Sequence, residues 1–136
     1  GVQLETGTTA SDFEFLPVDV NLDRCYRYFQ MMHSGSEDKG MGVGWYSANN
    51  NARFLPVMKK TMRGTPSLYQ STTTDSFRLF SAGGGNDNID SWSIMTGSSK
   101  NFVIANNTAQ ASGTAGQIGY VLTNNASNYF GLDSEL

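Results

Sequence analysis

His33 is the only histidine in the chain, so a Ser–His–Asp triad or a Cys–His pair would have to run through that one imidazole. It adjoins the turn-forming run Ser34-Gly35-Ser36, and no G-x-S-x-G elbow occurs. It is therefore expected at a strand end as a surface or capping residue. Asp75, Asp87 and Asp90 are the carboxylates a glycosidase would need to oppose across a groove. Turn-forming and solvated roles account for them more simply. In Gly83-Gly84-Gly85-Asn86-Asp87-Asn88-Ile89-Asp90, the side chains of Asn86, Asn88 and Asp90 supply oxygen at alternate positions, a spacing Ca²⁺ can use. The distal Glu of an EF-hand is missing and no nonapeptide repeats, so a flexible hairpin is the expectation. One Cys and one His do not make a zinc site. No catalytic residue, metal or cofactor is expected.

Sugar recognition has better material. Saccharides are held by aromatic rings against their C–H faces and by amides and carboxylates on their hydroxyls. Two stretches combine these groups: Trp45-Tyr46-Ser47-Ala48-Asn49-Asn50-Asn51 and Asn86-Asp87-Asn88-Ile89-Asp90-Ser91-Trp92. The candidate contacts are Trp45, Tyr46, Asn49, Asn50, Asn86, Asp87, Asn88 and Trp92, placed in loops at one tip. The competing expectation is that tryptophan fills a core. It weighs most on Trp92, whose alternation with Ile94 aims it inward. Lys59, Lys60 and Arg63, with Arg24 and Arg27, form the basic cluster, read as solvated charge or subunit contacts, or as a steering patch for an anionic glycan.

The elements that would position these groups are strands. Gly, Ser, Thr and Asn make up 54 of the 136 residues, while charged residues are only 15% against a usual quarter. Turn formers and β-compatible residues thus replace the Lys and Glu of helix surfaces. Runs of apolar alternation separated by turn clusters recur about every ten residues. Ile118, Tyr120 and Leu122 share one side of a strand that should have a buried face; so do Phe130, Leu132 and Leu136. The expectation is an all-β, antiparallel β-sandwich, jelly-roll-like, of about eight strands. Residues 1–18 read as a connector and 19–136 as the domain. Asp19–Met31 can be read as a helix, but its aromatic density favours a strand over Arg24–His33 after a short helical turn. Cys25 is expected to be a small buried hydrophobe.

Arg24–His33 carries large groups on both sides, which implies a central strand or a subunit contact. Tyr26, Tyr28 and Arg63 are the candidate interface residues. A net charge of −3 offers no basic face for nucleic acid, and no apolar run is long enough to span a membrane. The opening at Gly1-Val2-Gln3-Leu4, without an initiator Met, suggests continuation from an upstream domain.

Four stretches resemble a pattern of bacteriophage tail-fibre proteins. Gln3-Leu4-Glu5-Thr6-Gly7-Thr8-Thr9-Ala10-Ser11-Asp12-Phe13-Glu14 is similar to "QLE-x-G-x-x-A-x-x-FE", and Leu22-Asp23-Arg24-Cys25-Tyr26-Arg27-Tyr28-Phe29 to "L-x-x-C-x-R-Y-[YF]". Phe54, Val57, Met62, Arg63, Thr65 and Pro66 resemble "F-x-V-x-M-R-x-T-P", with Lys59-Lys60-Thr61 as extra residues. Leu132-Asp133-Ser134-Glu135-Leu136 is similar to "xDAEL", with Ser134 where Ala is typical. The resemblance implies the C-terminal tip of a virion fibre, homotrimeric, joined to upstream fibre domains and contacting a host cell-surface receptor. The matched motifs look like scaffold, which leaves ligand specificity to the unmatched loops. A purely structural virion module is the alternative.

Overall fold

The computed structural model describes residues 15–34, 40–82 and 85–135. The Gln3–Glu14 motif, Gly35-Ser36, Gly83-Gly84 and Leu136 lie outside the described residues, as does most of the 1–18 connector.

The described residues form one helix, α1 (Val18–Cys25), followed by ten strands. These are β1 (Phe29–Ser34), β2 (Gly40–Ala48), β3 (Asn51–Pro56), β4 (Ser67–Gln70), β5 (Phe77–Ser81), β6 (Asn86–Ile89), β7 (Ser93–Ile94), β8 (Ala105–Asn107), β9 (Ile118–Thr123) and β10 (Tyr129–Asp133). They form two antiparallel sheets, a small one in the order β1-β10-β4 and a large one in the order β6-β5-β9-β2-β3-β8-β7. The sandwich-like, all-β expectation holds, with ten strands where about eight were anticipated.

Aromatic rings from both sheets meet between them. Phe130 of β10 lies 5.2 Å from Phe54 of β3 and 5.9 Å from Phe77 of β5, centroid to centroid, and Trp92 packs 5.4 Å from Phe54. Leu79, Ile89, Val121 and Leu132 complete this core. The central strand β2 makes room for it with Gly44, where a Cβ would lie 2.5 Å from the Leu79 side chain. Two glutamines tie the layers together at their margins. Gln70 exchanges both amide hydrogen bonds with the backbone of Trp92, as a neighbouring strand would. Gln30 is fully buried, accepts from Lys59 N at 2.8 Å, and donates to the Tyr26 and Lys60 carbonyls.

Several expectations change here. The helix extends to Cys25, and Tyr26–Tyr28 form tight turns, Tyr28 N donating to the Cys25 carbonyl at 2.9 Å. The strand therefore begins only at Phe29, and Cys25 is exposed because α1 buries no residue. Neither Asp19 nor Asn21 caps the helix; Pro17 precedes its first turn with no side-chain cap. β1 is an edge strand, so the two-sided apolarity read over Arg24–His33 does not mark a central position. His33 is buried, opposite Phe130, where a surface or capping residue was expected. Asn86–Ile89, read as part of a loop, is a strand paired with β5.

Candidate functional site

The large sheet has one face against the core and one face to solvent. Strand alternation decides which side chains stand on each. On β9, Val121 and Thr123 point inward, whereas Ile118 and Tyr120 are 58% and 47% exposed. Of the set read from the sequence as sharing one side of this strand, Ile118 and Tyr120 face outward to solvent, whereas Leu122, near the strand's end, is buried. The inner side of β9 lies over the core formed with Leu79, and Val121 occupies it.

The outer face carries an ordered row. Backbone pairing sets Asn86 beside Phe80, Phe80 beside Tyr120, Tyr120 beside Val43, and Val43 beside Leu55. One step along the strands, Ile118 stands beside Trp45 and Trp45 beside Arg53, which is itself next to Asn106 of β8. Phe80 and Tyr120 stack with centroids 5.4 Å apart and planes 17° from parallel. Trp45 is half-buried on this face, diagonal to Tyr120 at a spacing of roughly 7–8 Å. Polar groups border the rings: Asn86, Asn88 and Arg78 on one side, Arg53 and Asn106 on the other. Rings in the centre with amides and guanidinium groups at the margins are the chemistry a saccharide needs.

The structure divides the eight sequence-chosen contacts. Trp45, Asn86 and Asn88 stand on this outer face, and Asn49 and Asn50 form the exposed turn between β2 and β3. Asn49 Oδ1 accepts from Ala115 N at 3.0 Å. Three others leave the ligand set, Trp92 and Tyr46 because they are buried and Asp87, half-buried, because its carboxylate is already bonded. Trp92 is 4% exposed, packed against Phe54 and Phe77. Tyr46 is 2% exposed on the inner side of β2, its hydroxyl donating to Asp87 Oδ2 at 2.8 Å. Asp87 also accepts from Ser112 N at 2.6 Å and Ser112 Oγ at 3.0 Å, so both carboxylate oxygens are occupied. Phe80, Tyr120 and Ile118, which also stand on this face, were not among the sequence-chosen residues, although the alternation of Ile118 with Tyr120 was visible.

The Tyr46 phenol is held neutral. Burial, then the hydrogen bond to Asp87, then the charge of that carboxylate raise its pKa well above the usual tyrosine value. A raised folded-state pKa contributes stability below the unfolded value of about 10 that is lost as pH climbs past it. Wild type should therefore lose melting temperature more steeply than Tyr46→Phe between about pH 9 and pH 11.5. Parallel slopes would remove Tyr46 as the titrating group.

Other chemistries find less support. Asn86 and Asn88 stand on the outer face of β6, and Asp90 lies beyond the end of that strand. Asp90 Oδ1 accepts from Asp75 N at 2.7 Å. No group of three His, Cys, Asp or Glu side chains placed to hold a metal ion occurs among the described residues. The interface candidates sit beside α1. Lys59 Nζ lies 4.8 Å over the Tyr26 ring, and the Arg63 guanidinium 5.7 Å over that of Tyr28. Lys60 pairs with Asp23 across a shallow pocket that Arg24 and Arg27 also line. That ion pair is half-exposed, so it adds little to stability.

Comparison with protein-family models, with curated proteins and with solved structures returned no match.

Proposed function

We propose that this domain is a non-catalytic recognition module that holds a host cell-surface saccharide against the outer face of its large sheet. The Phe80–Tyr120 stack with Trp45 beside it, bordered by Asn86, Asn88, Arg53 and Arg78, is the observation that carries the reading. The setting, a phage tail-fibre tip exposed on the virion, rests on the sequence resemblance.

The size of the face bears on what it takes. From the fractional exposures, Val43, Ile118 and Tyr120, together with half-buried Trp45, Phe80 and Leu55, offer on the order of 400 Å² of apolar surface. A stable protein partner usually covers about 800 Å² on each side. An oligosaccharide matches the smaller area. A homotrimer would then join through another surface, for which we assign the side bearing Tyr26, Tyr28 and Arg63. Three copies would raise weak sugar affinity through avidity.

The reading is tested by glycan-array and whole-cell binding of wild type, Trp45→Ala and Tyr120→Ala. Each truncation should weaken binding about 10-fold or more, as for a central contact residue. Both side chains lie outside the core, so the variants should melt close to wild type. Undiminished binding by both would remove this face from the site. A purely structural virion module is the second reading, favoured by the aliphatic groups Val43 and Ile118 within the face. A wild type that binds no glycan, and forms a trimer that buries Tyr120, would establish it. Light scattering after size exclusion reads the trimer directly.

A further inference from the structure

A groove of about 380 Å³ opens at the β3 end of the outer face. It is lined by Val43, Leu55, Val57, Met58, Asn101 and Phe102, with Pro56 and Val103 behind. Val43 and Leu55 belong equally to the aromatic row, so groove and row form one continuous surface. Val43 is the direct neighbour of Tyr120 across the β2–β9 pairing. A ring stacked on Tyr120 thus has the groove mouth about 5 Å away, one strand spacing.

The lining is apolar except for one carboxamide. Val57 and Phe102 are 69% and 48% exposed, an unfavourable placement for apolar side chains that contact nothing further. Both are held in place by backbone bonds. Val57 N donates to the Met41 carbonyl at 3.3 Å, and Phe102 closes a tight reversal in which Ser99 N donates to its carbonyl at 2.7 Å. Asn101 is at the tip of that reversal, its backbone N–H directed to Ser99 Oγ at 3.4 Å. A pre-positioned apolar slot with a single amide at its edge suits a substituent that is itself a methyl group attached to an amide.

We propose that the groove holds the acetamido group of an N-acetylated sugar whose ring stacks on the neighbouring aromatic row. The acetyl methyl enters between Val57 and Phe102, and Asn101 hydrogen-bonds the amide. The volume lies at the small end of ligand pockets and accommodates a sugar residue with its substituent. The proposal rests on the outer face being a saccharide platform, and it adds which saccharides that platform selects.

The test uses two neutral trisaccharides with the same linkage, chitotriose and cellotriose, which differ in carrying acetamido or hydroxyl at C2. Titration calorimetry or NMR should show chitotriose bound roughly 10-fold or more tightly, the discrimination one well-contacted apolar group supplies. Val57→Asp and Asn101→Ala alter exposed side chains, so both variants should melt as wild type does. Each should remove the preference for chitotriose. Equal affinity for the two sugars, or a preference untouched by both variants, overturns the groove assignment and leaves the platform standing. Neither trisaccharide binding while the glycan array remains positive for other sugars also overturns it. If Trp45→Ala and Tyr120→Ala affect no sugar, the platform itself fails.

Discussion

Phe130→Ala is expected to lower the unfolding free energy by about 3–5 kcal/mol, the cost of emptying a large aromatic site in a packed core. Phe130 is fully buried at the inner face of β10, where it is the small sheet's main contact with Phe54 and Phe77. The void cannot close easily. β10 is hydrogen-bonded on both sides, to β1 and to β4, so its backbone cannot shift toward the large sheet without breaking either ladder. Leu132, the next inward residue, already occupies its own buried place. Against a total stability of about 5–15 kcal/mol, this removes a large share. Melting temperature should fall on the order of 10–20 °C. Urea unfolding measures it, and Tyr120→Ala serves as the comparison on the opposite face of the large sheet. A loss under about 1 kcal/mol would mean that the two sheets do not meet at Phe130.

Asp87→Ala should cost about 2–4 kcal/mol, although Asp87 is only half-buried. Its carboxylate receives the Tyr46 hydroxyl, the Ser112 amide and the Ser112 hydroxyl. Ser112 is exposed and can turn to water, which returns part of the loss. Tyr46 cannot, because its ring is enclosed on one side by Gly113, where any Cβ would collide with the ring atoms. The orphaned hydroxyl therefore dominates the cost. Tyr46→Phe in the Asp87→Ala background should restore part of the stability by removing the unsatisfied group. Asn86→Ala and Asn88→Ala, whose side chains stand on the outer face, should stay within about 0.5 kcal/mol of wild type. Asp87→Ala that melts as wild type but fails to bind sugar would return Asp87 to the ligand set.

Asp87 also shows why three of the eight sequence-chosen contacts were misplaced at the sequence level. Asn86, Asp87 and Asn88 look alike as polar, turn-favouring residues, and the glycines before them suggest a loop. In the structure they form a strand, and a strand sends its neighbours to opposite faces. The middle residue goes inside because a tyrosine 41 positions earlier ends beside it. Tyr46 and Trp45 divide in the same way. Adjacent in sequence, one is sealed under the sheet and the other stands on its surface. The apolar side chain and the polar one each find conditions they tolerate, and no local pattern records which will have a partner layer.

The sequence by itself determined that this is an all-β chain. Scarce charge, abundant Gly, Ser, Thr and Asn, and alternation with period two all express backbone preferences that act within a few residues. It likewise determined which side chains share a face: Phe130 with Leu132, Ile118 with Tyr120, Trp92 on an inward course. Only the tertiary structure decided which of those faces is covered. Among the described residues the sheets are seven and three strands wide, and the small one has a single core-facing surface to offer. One side of the large sheet therefore packs against Phe130 and Leu132, and the other, with Tyr120 and Trp45, meets solvent. Burial is settled by what lies opposite, and what lies opposite comes from strands distant in sequence.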